Sequence, residues 1–412
     1  MSILQSSDAN EHHLKALVPV GIRLMFQRIG EIDTLNEKYQ AQASIEARWI
    51  IPFDELFEIL PPNDRTSLDQ GKSVSLIKFA DNHWHPQLFI ENAVGDLKEQ
   101  IRYTAKKISE DQACICEHRD IKGAFWEKLE LNHFPSDIQE LTISIGSMLY
   151  NDRVILIPDP FYHSGVNREA FVDQQEWLLY EHVDAGQRFV KEYFNSIGDD
   201  ENVQSSLNEG RERSFVSVSC HAERRSGYFY WNGYCLIFLI TLCGFTVFSM
   251  PPNLPQNRLQ TGATLLLTSI TFRWTVNRSL PTISYLTSLD KYAIISIFIL
   301  VGLCIWHAII GAIIYIDDMI TKVDATDTDA WVDRIVFIVF FSFYILMHIC
   351  MVIWLFLVPL ARQRQWRRKD VEYRRIVNQK INDIKSHARP YALDLSTVGY
   401  ELSGVVITDM KL

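Results

Sequence analysis

The sequence predicts a β-sandwich domain followed by a bundle of membrane-spanning helices, and the distribution of apolar residues is the first observation behind this prediction. Up to about Arg225 the chain mixes charged residues with short apolar runs. Beyond it, residues 234–248, 294–316 and 335–360 are nearly free of charge. The last two exceed the roughly 18 residues expected of a helix that crosses a bilayer. We therefore expect an integral membrane protein with a large N-terminal domain outside the bilayer.

The second observation is a set of short segments in the N-terminal part with the composition of β-strands. They are rich in β-branched and aromatic residues, are separated by turn-type residues, and lie at 73–80, 141–150, 176–183 and 214–221. In the last segment, apolar Val216, Val218 and Cys220 alternate with polar residues, as in a half-buried antiparallel strand. Several such strands and few helical patterns indicate a β-sandwich. Residues 184–213 are charged and contain glycine, which predicts a long hairpin tip.

Neither the cysteines nor the other reactive side chains indicate an enzyme. Cys114 and Cys116 lie two residues apart, and no second pair of ligands is near them in sequence, so no metal site is expected. We expect all seven cysteines to be thiols that pack as small apolar side chains. No nucleophile–base pair or phosphate-binding loop is recognisable. We expect no enzymatic activity, no cofactor and no nucleic-acid partner.

One helix-length segment among the apolar stretches is rich in hydroxyl groups. At 100° per residue, a single narrow helix face contains six residues: Gln260, Thr264, Leu267, Thr271, Thr275 and Arg278. A stripe that is polar except for one leucine is unsuited to lipid and must face protein or water. Two interpretations follow: a threonine-rich helix buried inside a bundle, or a pore wall in which symmetry-related leucines form an apolar constriction.

Five short stretches, taken in order, carry a resemblance to a known family. They are WHPQLFIENA (84–93), FPSDIQEL (134–141), ERRSGYFYWN (223–232), RLQTGATLLLT (258–268) and SLPTISYLTSLDKY (279–292). In one family, the first two stretches resemble the tryptophan-x-proline segment of the ligand site and the phenylalanine-proline-x-aspartate signature. The last three resemble the entry to the first span, the pore helix and the connection to the third span. That family is the pentameric ligand-gated ion channels, the Cys-loop receptor superfamily. The likeness covers about residues 18–360.

The resemblance implies an architecture and an assembly. Residues 1–225 would form an extracellular, all-β ligand-binding sandwich, 226–360 a four-helix transmembrane bundle, and 361–412 a basic C-terminal tail. Within the bundle, about 257–277 would line the pore and about 317–333 would form a short cytoplasmic loop. Five copies would assemble as a ring, a homopentamer surrounded by the lipids of the plasma membrane. An agonist of unknown identity would open the pore to inorganic ions. The alternative is a membrane-anchored pentameric binding or assembly protein that does not conduct.

The resemblance also implies positions for the agonist and for the coupling to the pore. The agonist site would contain Ser44, Glu91 and Met148, with Tyr150 and Tyr193 in the same loops. None of the first three carries the aromatic ring on which an ammonium gains cation–π energy. Glu91 could hold a cation by charge or could be solvated, and a neutral molecule, an amphiphile or protons remain open as agonists. The coupling junction would contain Phe134, Pro135, Asp137, Arg224, Pro281 and Tyr285.

Two features depart from the family pattern. The disulfide that names the family would join positions occupied here by Glu127 and Leu141, so it cannot form. We expect packing around Phe134 to hold that loop. The residues that set ion selectivity are replaced by Gln256 and Asn257, so neither the cationic nor the anionic pattern is present. Arg278 at the outer mouth would attract anions or would snorkel to lipid headgroups, whereas the acidic residues of 317–333 would favour cations, and we lean towards cations.

The basic segment 362–375 presents a conflict over topology. The positive-inside tendency would place it in the cytoplasm, whereas four spans and an external N-terminal domain place it outside. We expect a helix from Trp366 to about residue 385 that continues the last span and lies against headgroups or against the soluble domain.

Overall fold

The computed structural model describes residues 17–192, 211–278, 280–281, 283–321 and 327–387. The strands are β1 (Val18–Asp33), β2 (Lys38–Pro52), β3 (Val74–Leu76), β4 (Leu88–Ile90), β5 (Ala93–Lys107), β6 (Gln112–Trp126), β7 (Ile138–Ser147), β8 (Val154–Pro158), β9 (Gly165–Val166), β10 (Trp177–Glu192) and β11 (Arg211–Arg224). The helices are α1 (Phe53–Ile59), α2 (Pro62–Asp69), α3 (Phe79–Asn82), α4 (Gly227–Ser249), α5 (Pro255–Asn277), α6 (Ser288–Thr321), α7 (Asp327–Leu357) and α8 (Pro359–His387).

The strands form two sheets whose inner faces share one apolar core, as the sequence predicts. The larger sheet has the order β3-β5-β6-β2-β1-β8, with β9 beside β1, and the smaller has the order β10-β11-β7-β4. Trp49 and Ile22 enter the core from the larger sheet, and Trp177 and Val216 enter it from the smaller sheet. Two sheets that bury alternate residues between them constitute a β-sandwich. The β-sandwich prediction is therefore confirmed.

The four strand predictions differ in how well they agree with the structure. The segments predicted at 141–150, 176–183 and 214–221 lie in β7, β10 and β11. The segment at 73–80 is wrong beyond β3, because Lys78 has a positive φ of 55° and a helical turn follows it. Phe79 then enters the core, 5 % exposed, with its ring centroid 6.5 Å from that of Trp49. The apolar run at 73–80 was thus predicted as one strand, although the chain turns towards the core at Lys78.

The alternation predicted for β11 holds on its inner face and is modified on its outer face. Val216, Val218 and Cys220 are fully buried. Ser219 and His221 on the opposite face are also buried, at 5 % exposure each. The reason is that helix α8 covers this end of the hairpin. The β10–β11 pairing continues as far as the pair Glu192 and Arg211, and the tip predicted between them lies outside the described residues.

Three helical segments in the described part of the chain are long and apolar enough to cross a membrane. They are Gly227–Ser249, Ser288–Ile316 and Ala330–Gln379, the last joining α7 and α8. Helix α5 lacks their hydropathy but packs against both α4 and α6. A Cβ atom on Gly262 would lie 2.7 Å from Sγ of Cys304, so the absence of a side chain permits this close approach of α5 to α6.

A buried arginine joins the helices at the end of the bundle far from the β-domain. Arg258 of α5 is 1 % exposed, and its guanidinium donates to both carboxylate oxygens of Asp333 at 3.1 and 2.8 Å. It also donates to the backbone oxygen of Met250, while Trp306 donates to Asp333 at 2.9 Å. Because each charge in this network is paired and hydrogen-bonded, the cost of burying it is offset.

All seven cysteines are free thiols in the structure. Cys114 and Cys116 lie on β6 and Cys220 lies on β11. Burial raises the pKa of Cys116 to about 12, so the reactive thiolate is scarce at neutral pH. These are the properties of thiols that pack as small apolar groups.

A reducing agent is expected to leave the melting temperature of the protein unchanged. A native disulfide typically contributes about 2–4 kcal/mol, which would shift the melting temperature by several degrees. Differential scanning fluorimetry with and without dithiothreitol makes the measurement. A fall of several degrees on reduction would contradict the free-thiol state, and Cys220→Ser and Cys114→Ser would then identify the bonded pair.

Candidate functional site

The predicted stripe on α5 is exposed along its whole length in the single chain. All six of its residues are exposed: Gln260, Thr264, Leu267, Thr271, Thr275 and Arg278. Leu267 is 63 % exposed, although it is apolar. On the opposite side of the helix, Arg258, Gly262 and Ser269 are buried. The structure therefore turns the predicted face away from α4 and α6.

The threonine hydroxyls of this stripe have their hydrogens satisfied within the helix. Thr264 donates to the carbonyl of Gln260 at 2.8 Å, and Thr271 donates to that of Leu267 at 3.0 Å. Thr275 donates to the carbonyl of Thr271 at 3.0 Å in the same way. Each hydroxyl has one donor and two acceptor lone pairs, so the oxygen keeps its lone pairs for a partner beside the helix. The exposed face is lined by acceptor oxygens, interrupted by Leu267.

A buried ion pair lies where the β-domain meets the helices. Arg224 ends β11, is 2 % exposed, and donates from Nε to Oδ1 of Asp137 at 3.0 Å. It donates to Glu176 at 2.5 Å, and its guanidinium carbon lies 4.1 Å from the ring centroid of Trp177. Gln139 holds the second oxygen of Asp137 at 2.5 Å. Two predicted junction residues, Asp137 and Arg224, are thus in direct contact.

The loop between β6 and β7, which contains Asp137, contacts the connection between α5 and α6. The hydroxyl of Tyr285 accepts a hydrogen bond from the backbone nitrogen of Leu131 at 3.0 Å, and Ser288 donates to the backbone oxygen of Asn132 at 2.8 Å. Phe134 is fully buried and shares an apolar cluster with residues of α4 and α6. The structure therefore brings Phe134 and Tyr285 to the junction, with Pro135 beside Phe134. Pro281 lies half-buried in the α5–α6 connection.

The loop that lacks the disulfide is held by other contacts. Glu127 accepts a hydrogen bond from the backbone nitrogen of Thr142 at 2.8 Å, next to Leu141. Burial raises the pKa of Glu127 to about 7. This carboxyl group therefore changes its charge near neutral pH, and its ionised form is the costlier one in the folded state.

The residues predicted for the agonist site are not brought together within one chain. Ser44 is on β2 of the larger sheet, where it pairs with Met25 and Asp120. Glu91 and Met148 flank the smaller sheet, following β4 and β7. Tyr193 lies outside the described residues. Within the single chain, the two groups belong to different sheets.

Glu91 is exposed and pairs with a cation of the same chain. Its carboxylate is paired with the guanidinium of Arg188 and accepts a hydrogen bond from Ser144 at 2.8 Å. The Arg188 guanidinium carbon also lies 4.8 Å from the ring centroid of Phe215. These contacts follow from the register of β10 and β11, which local sequence does not reveal.

The ring of Tyr150, near Met148, is also in contact with guanidinium groups of the same chain. The guanidinium carbons of Arg211 and Arg213 lie 5.1 and 4.7 Å from the ring centroid of Tyr150. Arg213 donates to the backbone oxygen of Met148 at 2.6 Å. The aromatic surface of this region is thus already occupied by arginine.

Helix α8 adds a contact that the sequence indicated only as one of two possibilities. Asp370 accepts hydrogen bonds from the backbone nitrogens of Glu181 and His182 at 2.7 and 3.1 Å. Arg367 donates to Glu223 at 3.0 Å, and the ring centroid of Trp366 lies 4.1 Å from that of His221. The C-terminal helix therefore lies against the β-domain.

Comparison with known proteins finds similarity to receptor subunits at low identity. The chain is 24 % identical over 278 residues to the gamma-aminobutyric acid receptor subunit gamma-3 of Mus musculus, covering 66 % of this chain and 53 % of that protein. It is 24 % identical over 235 residues to a beta-like subunit of Drosophila melanogaster, covering 56 % of this chain and 43 % of that protein. It is 22 % identical over 303 residues to a beta subunit of Lymnaea stagnalis, covering 71 % and 56 %.

The chain spans about half the length of the curated relatives it matches. No family model matches it. The relatives are named as receptor subunits and not as enzymes, and their names agree with the resemblance carried by the five stretches. The chain is similar to gamma-aminobutyric acid receptor subunits.

Proposed function

We propose that the chain is a subunit of a ligand-gated ion channel in the plasma membrane, in which five copies surround a pore lined by α5. The single observation that carries the proposal is the exposed polar stripe of α5. Its 23 residues span about 35 Å at roughly 1.5 Å per residue, which is enough to cross the hydrocarbon core. Gln260 and Arg278 on that stripe are too polar for lipid. Only water or other copies can cover them.

The position of α8 supports four crossings of the membrane. Helix α8 contacts β10, so the chain returns to the side of the membrane on which the β-domain lies. An even number of crossings is needed for this return, whereas three segments among the described residues are apolar enough by composition. Helix α5, packed between α4 and α6, supplies the fourth crossing. Hydropathy misses it because its polar face contacts water in the assembled ring.

The junction supplies a route from the agonist to the gate. Asp137 and Arg224 connect the loop between β6 and β7 to the start of α4. Tyr285 connects the same loop to the end of α5. A movement of the sandwich reaches α5 through these bonds, and the ring formed by Leu267 responds to it. The agonist would bind between neighbouring chains, where Ser44 of one faces Glu91 and Met148 of the next.

The alternative is a pentameric binding or assembly protein that does not conduct. The pairing of Glu91 with Arg188 favours it, because that ion pair occupies the predicted agonist position. Current across a bilayer containing the purified protein distinguishes the two proposals. Gamma-aminobutyric acid, for which the relatives are named, is the first agonist to test, followed by a change of pH.

The assembly is expected to be a homopentamer. A monomer would expose Gln260 and Arg278 to lipid, and a closed ring removes this exposure. Native mass spectrometry of the detergent-solubilised protein gives the number of copies. A stable monomer or dimer would contradict the pore assignment of α5.

Amine agonists such as acetylcholine and serotonin are expected to bind weakly or not at all. The rings of Phe215 and Tyr150 already contact arginine guanidinium groups, and a further cation would be repelled. Dose–response measurements on the reconstituted protein test this expectation. A micromolar response to either amine would show that other rings form the site.

Leu267→Thr is expected to raise the resting conductance or the agonist sensitivity without preventing assembly. Five leucines at one level exclude water from the closed pore, and a hydroxyl at that level admits it. The matched control is Leu265→Thr, since Leu265 is half-buried and lies on another side of α5. Recordings and melting curves of both variants are needed.

If Leu267 only packs against other residues, its replacement should lower the stability by roughly 1–3 kcal/mol and leave the current unaltered. That pair of results would contradict the gate assignment. A rise in current with Leu267→Thr, together with a purely structural effect of Leu265→Thr, would support it.

A further inference from the structure

Three potential metal ligands lie together on the outer face of the β10–β11 hairpin, beside helix α8. They are His182 and Asp184 of β10 and His221 of β11, and one ligand atom of each lies within 4.8 Å of the others. No spacing in the sequence indicates this group, since His221 is remote from the other two. The proposed channel function uses none of the three side chains.

The pairing of the two strands brings these side chains together. Val183 pairs with Cys220, so His182 and His221 occupy the next positions on neighbouring strands. Alternate residues of a strand share a face, which places Asp184 on the same side as His182. Nε2 of His182 lies 3.2 Å from Oδ1 of Asp184, and the two imidazole centroids are 6.2 Å apart.

The hydrogen bonds within the protein leave both imidazoles incompletely satisfied. His221 is 5 % exposed, and its Nδ1 has no hydrogen-bond partner among the described residues. A buried nitrogen without a partner costs free energy. A cation bound to the lone pair of this nitrogen in the neutral imidazole removes that cost. In His182, Nε2 faces Asp184, and Nδ1 is buried with no partner in the described part of the chain.

The three potential ligands have aromatic side chains of α8 on one side and solvent on another. Trp366 of α8 stacks on His221, with ring centroids 4.1 Å apart, and Tyr373 lies 5.5 Å from His182. Asp184 is exposed and gives access from solvent. Among the charges that act on His221, Asp184 and Glu140 are negative, and Lys369 and a protonated His182 are positive.

We propose that His182, Asp184 and His221 bind one divalent transition-metal ion of the Zn²⁺ class, with water as the fourth ligand. Two imidazoles and a carboxylate are ligands that Zn²⁺ accepts, whereas Ca²⁺ needs six or more oxygens. With Zn–N distances of about 2.0–2.1 Å, the donors of a tetrahedral site lie about 3.3 Å apart. The pair His182 and Asp184 already has this separation, and side-chain rotation of His221 completes the site.

Isothermal titration of ZnCl₂ into the EDTA-treated full-length protein in detergent tests the proposal. We expect saturable binding of one ion per chain, with MgCl₂ and CaCl₂ unable to displace it. Asp184→Asn and His182→Ala should each weaken binding by at least the roughly 10- to 100-fold typical of losing an outer-shell partner. The matched control is His163→Ala, which removes an exposed histidine of the same domain and should bind as the wild type.

Both variants alter side chains that are exposed or half-buried, and their melting temperatures without metal verify that the fold is retained. The absence of saturable Zn²⁺ binding by the wild type would overturn the proposal. Unchanged affinity in both variants, or an equal loss in His163→Ala, would also overturn it. The measurement involves no current, so its failure leaves the channel proposal intact.

Discussion

The buried ion pair between Arg224 and Asp137 fixes the end of β11, where the chain passes into α4, to the loop between β6 and β7, which contacts the helices. Both side chains are almost fully removed from solvent, and loss of one partner from such a pair typically costs about 3–5 kcal/mol. Arg224 is the last residue of β11 and lies directly before α4. Because Trp177 and Glu176 also contact it, the start of β10, the end of β11 and the β7 loop meet at one guanidinium.

The last helix holds the same hairpin from its other side. Glu223, next to Arg224 in sequence, accepts from Arg367 of α8, and the start of α8 continues the helical hydrogen bonding of α7 across Pro359. The base of the β10–β11 hairpin is thereby fixed to both α4 and α8. Helix α5 has no such bond to the hairpin among the described residues and depends on the contacts of Tyr285 and on packing.

Sequence alone predicted features that depend on local geometry. The stripe containing Thr264 and Leu267 follows from the 3.6-residue period of a helix, and the inner face of β11 follows from the period of two. Features that depend on tertiary pairing were missed. The pair Glu91 and Arg188 and the convergence of His182 with His221 join positions far apart in the chain. The wrong strand prediction at 73–80 has a local cause, the left-handed backbone of Lys78.

The chemistry of α5 bears on which ions the proposed pore would pass. The threonine hydroxyls donate inward, so the wall offers oxygen lone pairs, which interact with cations and with the hydrogens of water alike. Gln256 and Asn257 add no formal charge at one end. At the other end Arg278 is exposed, with its guanidinium carbon 4.8 Å from the ring centroid of Trp274. Because the wall is neutral, the sign of the permeant ion depends on the charges at the two mouths, whose influence extends about 8 Å at physiological salt.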